Sequence, residues 1–263
     1  MKIRTWFEAD LETPESLPFC GGRLAIFSCR SPDKASANED AAAIIEISPH
    51  HGILVVADGV GGHSVGARAS RAAVDALTDA VARSQSDVSS RTAIVDSLEA
   101  ANREILSWGV GAATTIIIAE FISGNLRTFH AGDSTALVCS NRGNLKYSTI
   151  AHAPVAMAVE IGMLSEDEGL VHADRNLITN CLGIDQMKID LGSSMEMATR
   201  DTLLIASDGL FDNLTVAETI DVVKSGDLAK SANRLLEMTH SKMANPQELP
   251  SKSDDLTFIC FRQ

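Results

Sequence analysis

The sequence has few basic residues for its acidity. Lys and Arg number 22 against 35 Asp and Glu in 263 residues, which gives a formal net charge of −13 at pH 7. Surfaces that bind nucleic acid are basic because they neutralise phosphates, so we expect no nucleic-acid partner. The surplus of carboxylates is typical either of a solvated surface or of a cluster of acids that binds cations.

Closely spaced cysteine pairs are also missing. The five cysteines are scattered without any C-x-x-C spacing, which excludes a zinc site or a disulfide framework of that kind. No apolar run approaches the roughly 20 residues needed to cross a bilayer. Residues 1–10 carry too many charges for a signal peptide. We therefore expect a cytoplasmic protein that does not contact membranes.

The sequence lacks a G-x-S-x-G nucleophile motif and a Walker A loop. It contains instead an apolar run, residues 53–57, that ends in Asp58 and a glycine-rich turn with Gly59, Gly61 and Gly62. The run predicts a buried strand. The apolar spacing that follows predicts a helix over 64–83, so the acid lies between a strand and a helix.

Five acidic residues lie at the ends of predicted strands. Asp58, Asp133 and Asp208 each close a strand beside a glycine, Asp40 immediately precedes a strand, and Asp254 lies two residues before one. Starts and ends of antiparallel strands meet at one edge of a sheet. Gathered carboxylates cannot all stay ionised unless cations bind them, and an all-oxygen set favours Mg²⁺ or Mn²⁺. Two such ions can align a water for in-line attack on phosphorus.

Strands and helices come in runs, not in strict alternation, which predicts an α+β layered sandwich. Residues 1–23 contain Pro14, Pro18 and two adjacent glycines, and we expect them to form an irregular lead-in. No linker divides the remainder, so residues 24–263 are expected to form one domain.

Taken in order, these motifs resemble those of the type 2C (PPM) metal-dependent protein Ser/Thr phosphatases, particularly their compact bacterial-type members. The resemblance runs from about residue 24 to the C-terminus. The matching segments are residues 38–40 (NED), 56–63 (VADGVGGH), 111–115 (GAATT), 131–134 (AGDS), 175–183 (RNLITNCLG), 205–212 (IASDGLFD) and 253–257 (SDDLT).

The resemblance implies a four-layer α-β-β-α sandwich of two antiparallel sheets flanked by helices. It also implies hydrolysis of phosphoserine and phosphothreonine by a hydroxide that bridges two Mg²⁺ or Mn²⁺ ions. Asp58, Asp208 and Asp254 would hold the first ion. Asp58, the Gly59 carbonyl and Asp40, largely through water, would hold the second.

A third, weaker ion is implied at Asp133, and a flap that influences substrate choice at about residues 152–180. The family usually has an arginine that grips the substrate phosphate where this sequence has Ala35, with Lys34 beside it. Lys34 is therefore the candidate phosphate contact, although lysine lacks the bidentate fork of arginine. The glycine-turn residue His63 is expected to orient that turn, not to transfer protons.

The implied partner is a phosphorylated protein, with the enzyme acting as a monomer against a Ser/Thr kinase. Two alternatives stay open. The chain could be a signalling adaptor that keeps the fold with little catalysis and binds a phosphoprotein or a kinase, as the missing arginine suggests. It could also hydrolyse a different phosphate ester with the same metal chemistry.

Overall fold

The computed structural model of the chain describes residues 1–60, 64–84, 90–245, 247 and 250–263. Three residues of the glycine-rich turn, Gly61, Gly62 and His63, lie outside this range, so the expectation for His63 is not addressed. None of the helices in the described ranges is long and apolar enough to cross a membrane.

The strands, in chain order, are β1 (Lys2–Phe7), β2 (Glu15–Phe19), β3 (Gly22–Cys29), β4 (Ala41–Ser48), β5 (His51–Ala57), β6 (Gly59–Val60), β7 (Ala113–Thr114), β8 (Ile116–Ile122), β9 (Asn125–Ala131), β10 (Thr135–Cys139), β11 (Leu145–Ser148), β12 (Asp190–Leu191), β13 (Met195–Glu196), β14 (Thr202–Ala206) and β15 (Leu256–Arg262). The helices are α1 (Ser64–Arg83), α2 (Ser90–Ser107), α3 (Pro154–Glu160), α4 (Glu166–Leu170), α5 (Asp208–Phe211), α6 (Val216–Val223) and α7 (Leu228–Met243).

The first sheet has the order β1-β4-β5-β8-β9-β12, and β13 also pairs with β9. Its pairs are antiparallel. Successive residues of a strand point to opposite faces. In β5, Ile53 and Val55 therefore pack toward α1 and α2, while Leu54 and Val56 pack toward the second sheet. Both faces are covered, which explains the unbroken apolar run in the sequence.

The second sheet has the order β11-β10-β14-β15-β3-β2, again antiparallel. In β15, Ile259 and Phe261 face the first sheet, whereas Phe258 and Cys260 face a cluster that includes residues of α5, α6 and α7. Three apolar clusters thus separate four layers. The structure confirms the expected α-β-β-α sandwich of two antiparallel sheets flanked by helices.

The expectation for residues 1–23 is wrong. β1 pairs with β4 at the edge of the first sheet, and β2 pairs with β3 at the edge of the second. Residues 1–23 are therefore not an irregular lead-in, because they supply an edge strand to each sheet. Helix α7 begins directly after Asp227, whose carboxylate accepts a 2.9 Å hydrogen bond from the Lys230 backbone N–H and so caps the helix.

Candidate metal centre

The first sheet brings two of the acids face to face. Ala41 pairs with Ala57 in the β4–β5 register, so Asp40 and Asp58, the residues just beyond that pair, lie at one edge. The Asp58 carbonyl accepts hydrogen bonds from the backbone N–H of Thr115 (2.8 Å) and from the hydroxyl of Thr114 (2.9 Å). These bonds fix the turn that carries the Asp58 side chain.

The second sheet brings three more acids to the same place. Ala206 pairs with Thr135 on one side and with Phe258 on the other. Asp133, Asp208 and Asp254 lie just beyond these paired residues, so they share one edge. The registers thus place acids at one edge of each sheet, and a 2.9 Å hydrogen bond from the Ser207 hydroxyl to Asp40 Oδ2 joins the two edges.

Two glycines let backbone segments meet at this edge. A Cβ atom on Gly59 would lie 2.3 Å from the Gly66 carbonyl oxygen, and one on Gly209 would lie 2.0 Å from the Asp255 carbonyl oxygen. Real Cβ atoms do not approach a carbonyl oxygen that closely, so any residue other than glycine would push the two backbone segments apart. The glycines beside Asp58 and Asp208 therefore serve close packing.

Burial and mutual repulsion dominate the electrostatics. Burial raises the pKa of Asp58 well above its ordinary value, and the charges of Asp208, Asp40 and Asp254 add to the effect. The pKa of Asp40 is raised in the same direction by burial. The pKa of Asp133 rises to about 7 through burial and the charge of Asp208, and burial also raises that of Asp254. A cation bound here would relieve this repulsion.

The donor set fits hard divalent cations. The acids at the edge supply oxygen ligands, which Mg²⁺ and Mn²⁺ prefer. One oxygen of Asp40, Oδ1, is buried without a hydrogen-bond partner in the described structure. Leaving a buried carboxylate oxygen unpartnered is costly, and a metal ion or its water would satisfy it.

Comparison with known proteins identifies the family. A family model described as Protein phosphatase 2C matches residues 32–248. The chain belongs to the protein phosphatase 2C family. This confirms the family expected from the motifs and, with it, the enzyme class, phosphoprotein phosphatase.

Individual members of the family show the same relationship. The chain is 28% identical over 198 residues to the serine/threonine phosphatase stp of Listeria welshimeri, covering 72% of this chain and 78% of stp. It is 31% identical over 182 residues to the protein phosphatase PhpP of Streptococcus pneumoniae, covering 66% of this chain and 73% of PhpP. A crystal structure of the PstP catalytic domain with two manganese ions superposes with a TM-score of 0.73 at 24% identity, covering 92% of this chain and 97% of that catalytic-domain chain.

Lys34, the candidate phosphate contact of this phosphatase, is held by acids. Its ammonium donates to Glu39 and, at 2.7 Å, to Asp255 Oδ2. Asp255 also accepts 2.7 Å bonds from the backbone N–H groups of Ser31 and Glu39. Both oxygens of Asp255 are thus occupied, which leaves Asp254 as the better candidate ligand of the two adjacent acids.

A second lysine, missed in the sequence, lies directly at the acidic edge. Lys252 Nζ hydrogen-bonds Asp208 Oδ2 at 2.6 Å and lies 2.6 Å from Asp212 Oδ2 and 3.0 Å from Asp254 Oδ2. Burial raises the pKa of Asp208, but contact with Lys252 together with hydrogen bonds to Asp58 and Asp212 outweighs burial and lowers it. The only hint in the sequence was that Lys252 lies two residues before Asp254.

The flap region, residues 152–180, contains α3 and α4 and borders the acidic edge. The Arg175 guanidinium donates to the carbonyls of Leu170 (2.8 Å) and Ser251 (3.2 Å), which ties the flap to the loop that carries Lys252. A cleft of about 240 Å³ lies between the flap and the edge, with Asp133 and Asp208 in its wall.

Another group of possible metal ligands lies beside the flap. Within the described ranges, His130, His152 and Asp190 have ligand atoms within 4.8 Å of one another. The two imidazole rings stack at 4.6 Å with planes 10° apart. A histidine nitrogen binds metal in the plane of its ring, so one ion cannot serve two stacked rings well. His152 Nδ1 instead accepts a 3.0 Å bond from the Gly132 N–H, which supports the turn before Asp133.

Proposed function

We propose that the protein is a Mg²⁺- or Mn²⁺-dependent phosphatase of phosphoserine and phosphothreonine in proteins. The observation that carries the proposal is the set of five acids that the strand registers bring to one joined edge of the two sheets. The motifs of the family, in order along the chain, support the same function. Its substrate is then a phosphorylated protein, and a monomer opposing a Ser/Thr kinase is the arrangement we infer.

The ligand assignment follows the family pattern. Asp58, Asp208 and Asp254 would hold one ion, and Asp40 with the Gly59 carbonyl would join Asp58 at the second. Asp133 would share a third ion with Asp208. When bound, the ions supply positive charge and an activated water for attack on phosphorus.

The chain's own residues supply orientation. Ser207 donates a 2.9 Å hydrogen bond to Asp40 Oδ2, which directs the other oxygen of Asp40 into the edge. Thr114 and Thr115 hold the Asp58 carbonyl, and Asp255 anchors the segment that begins β15. These contacts preorganise the ligands, so little reorganisation is needed when the phosphoryl group arrives.

The rival function is a phosphatase-fold adaptor that binds a phosphoprotein or kinase with little catalysis. Its support is that Ala35 occupies the arginine position and that Lys34 is paired with two carboxylates. The set of buried acids favours the enzyme, because such a cluster is costly to maintain unless cations use it.

Phosphate release from a phosphothreonine peptide tests the proposal. We expect release with Mn²⁺, no release with EDTA, and loss of release in Asp208→Asn. A phosphotyrosine peptide and a small phosphate ester, assayed in parallel, would distinguish a protein Ser/Thr phosphatase from a hydrolase of other esters. A folded protein that releases no phosphate from any of these at any metal concentration would overturn the enzyme and leave the adaptor.

A further inference from the structure

The loop before β15 inserts a cation of the protein itself among the acids of the metal centre. The Lys252 ammonium lies within 3.0 Å of carboxylate oxygens of Asp208, Asp212 and Asp254. Its side chain is 18% exposed, as is that of Asp208. Two of these carboxylates, Asp208 and Asp254, are the proposed ligands of the first metal ion.

An ammonium group and a divalent ion cannot share these oxygens without repulsion. Asp208 Oδ2 and Asp254 Oδ2 point at Lys252 Nζ, so an ion bound to the same atoms would be only a few ångströms from the ammonium. Like charges repel strongly at that separation in a partly buried site. Metal binding therefore requires the ammonium to move away or to remain at a cost in affinity.

Lys252 also has a counterion that is not a proposed metal ligand. Asp212 follows the short helix α5, and its Oδ2 lies 2.6 Å from Lys252 Nζ. It can remain paired with the ammonium when Asp208 and Asp254 bind a metal ion. Lys34 cannot play this part, because its ammonium is occupied by Asp255 and Glu39. The two lysines thus differ in which acids they contact.

We propose that Lys252 is an internal counter-cation of the metal centre: it neutralises Asp208 and Asp254 in the metal-free protein, competes with metal for them, and so sets the metal affinity. Lys252 is a positioning residue in this role, since it acts through the ligands. The inference rests on the proposed metal-dependent function. Because Lys252 competes with the metal, the site fills only when the metal concentration is high enough to displace the ammonium.

The test is Mn²⁺ affinity by titration calorimetry in Lys252→Met, which keeps the length of the side chain and removes its charge. We expect Mn²⁺ to bind at least tenfold more tightly than to the wild type. The melting temperature in EDTA should fall, while the gain in melting temperature on adding saturating Mn²⁺ should grow. A purely structural lysine would lower both melting temperatures and leave the affinity unchanged.

Lys146→Met is the matched control. Lys146 Nζ lies 2.6 Å from the buried Asp201, near the start of β14 and away from the acidic edge, so this variant also loses a lysine–aspartate contact. Its Mn²⁺ affinity should equal that of the wild type. Equal or weaker Mn²⁺ binding by Lys252→Met would overturn the inference, whereas a wild type that binds no Mn²⁺ would overturn the metal centre and the inference together.

A measurement on the wild type covers the case in which Lys252→Met does not fold. Lysine acetylation with a small reagent, read by mass spectrometry, reports the accessibility of the Lys252 amine. Competition predicts that Mn²⁺ increases modification of Lys252 several-fold and leaves Lys146 unchanged. Modification of Lys252 that is unchanged or reduced by bound Mn²⁺ would contradict the proposal.

Discussion

The Ser207 hydroxyl donates a 2.9 Å hydrogen bond to Asp40 Oδ2 and accepts a 3.1 Å bond from the Thr257 backbone N–H. Ser207 follows β14 in the second sheet, and Asp40 precedes β4 in the first. One buried hydroxyl thus connects the two sheets at the acidic edge and orients an acid proposed to hold metal.

Ser207→Ala should weaken this connection. Loss of a buried hydrogen bond to a carboxylate costs about 2 kcal/mol, which corresponds to about 4–8 °C in melting temperature for a domain of this size. We also expect several-fold weaker Mn²⁺ binding, because Asp40 loses its orientation. The control is Ser97→Ala, since the buried Ser97 hydroxyl donates to the Ile94 carbonyl within α2 and its loss should leave Mn²⁺ affinity unchanged. Unchanged affinity in both variants would contradict the orienting role.

Asp58→Asn should separate stability from activity. Burial raises the pKa of the Asp58 carboxyl, which means that the charged form is unfavourable in the folded protein. The substitution removes that charge, so the melting temperature in EDTA should increase. Phosphate release should fall about 1,000-fold, as expected for loss of a group that organises transition-state charge. Asp201→Asn is a contrasting variant, because Asp201 is buried but paired with Lys146 and the Ala198 N–H. It should lower stability and retain activity; an Asp58→Asn protein that is active or less stable in EDTA would refute the prediction.

The metal-free protein should lose stability as pH rises through the acid range. Folding raises the pKa values of Asp133 and Asp212 from 3.8 to about 7. At any pH between these two values the folded chain therefore binds more protons than the unfolded chain. The free energy of unfolding therefore falls with rising pH. We expect the melting temperature in EDTA to drop by about 5 °C or more between pH 5 and pH 7.

Two comparisons isolate this pH effect. Asp133→Asn should reduce the slope, because it removes one of the titrating groups. Saturating Mn²⁺ should reverse the slope, since metal ligands must be deprotonated to bind. A slope that is the same in EDTA, in Mn²⁺ and in Asp133→Asn would assign the pH dependence to groups elsewhere in the protein.

Lys34→Met should act mainly on stability. It leaves the buried Asp255 and the half-buried Glu39 without their cation, at a cost of about 3 kcal/mol, or about 6–12 °C in melting temperature. The double variant Lys34→Met/Asp255→Asn should recover part of this loss. A raised Michaelis constant for phosphopeptide, with the melting temperature unchanged, would instead support the phosphate contact inferred from the sequence.

The position of each acid beside a strand could be predicted from the sequence because the pattern that indicates it lies within a few neighbouring residues. Each acid follows or precedes a strand that is apolar on both faces, as β5 shows, and such strands are recognisable from composition. Antiparallel pairing then determines where their ends meet. Asp40 and Asp58 could therefore be placed together before the β4–β5 register was known.

Other features depended on tertiary contacts that composition does not encode. β1 has four exposed residues of six, including Lys2 and Arg4, so it lacks an apolar signal. β2 contains Pro18, which strands tolerate at a sheet edge. Lys252 lies in a polar loop, and its role depends on the distant Asp208 and Asp212. Edge strands and loop side chains take their function from neighbours far away in the chain.

The position of β15 affects how the protein can be synthesised. β15 lies between β3 and β14, yet it comes after every other strand of the sheet in the chain. A ribosome therefore releases the β2–β3 pair and the β10, β11 and β14 strands before the strand that joins them exists. Until then both groups expose unpaired edges, which favour aggregation. Asp254 lies two residues before that joining strand, so the candidate metal centre and the completed sheet arise in the same step of synthesis.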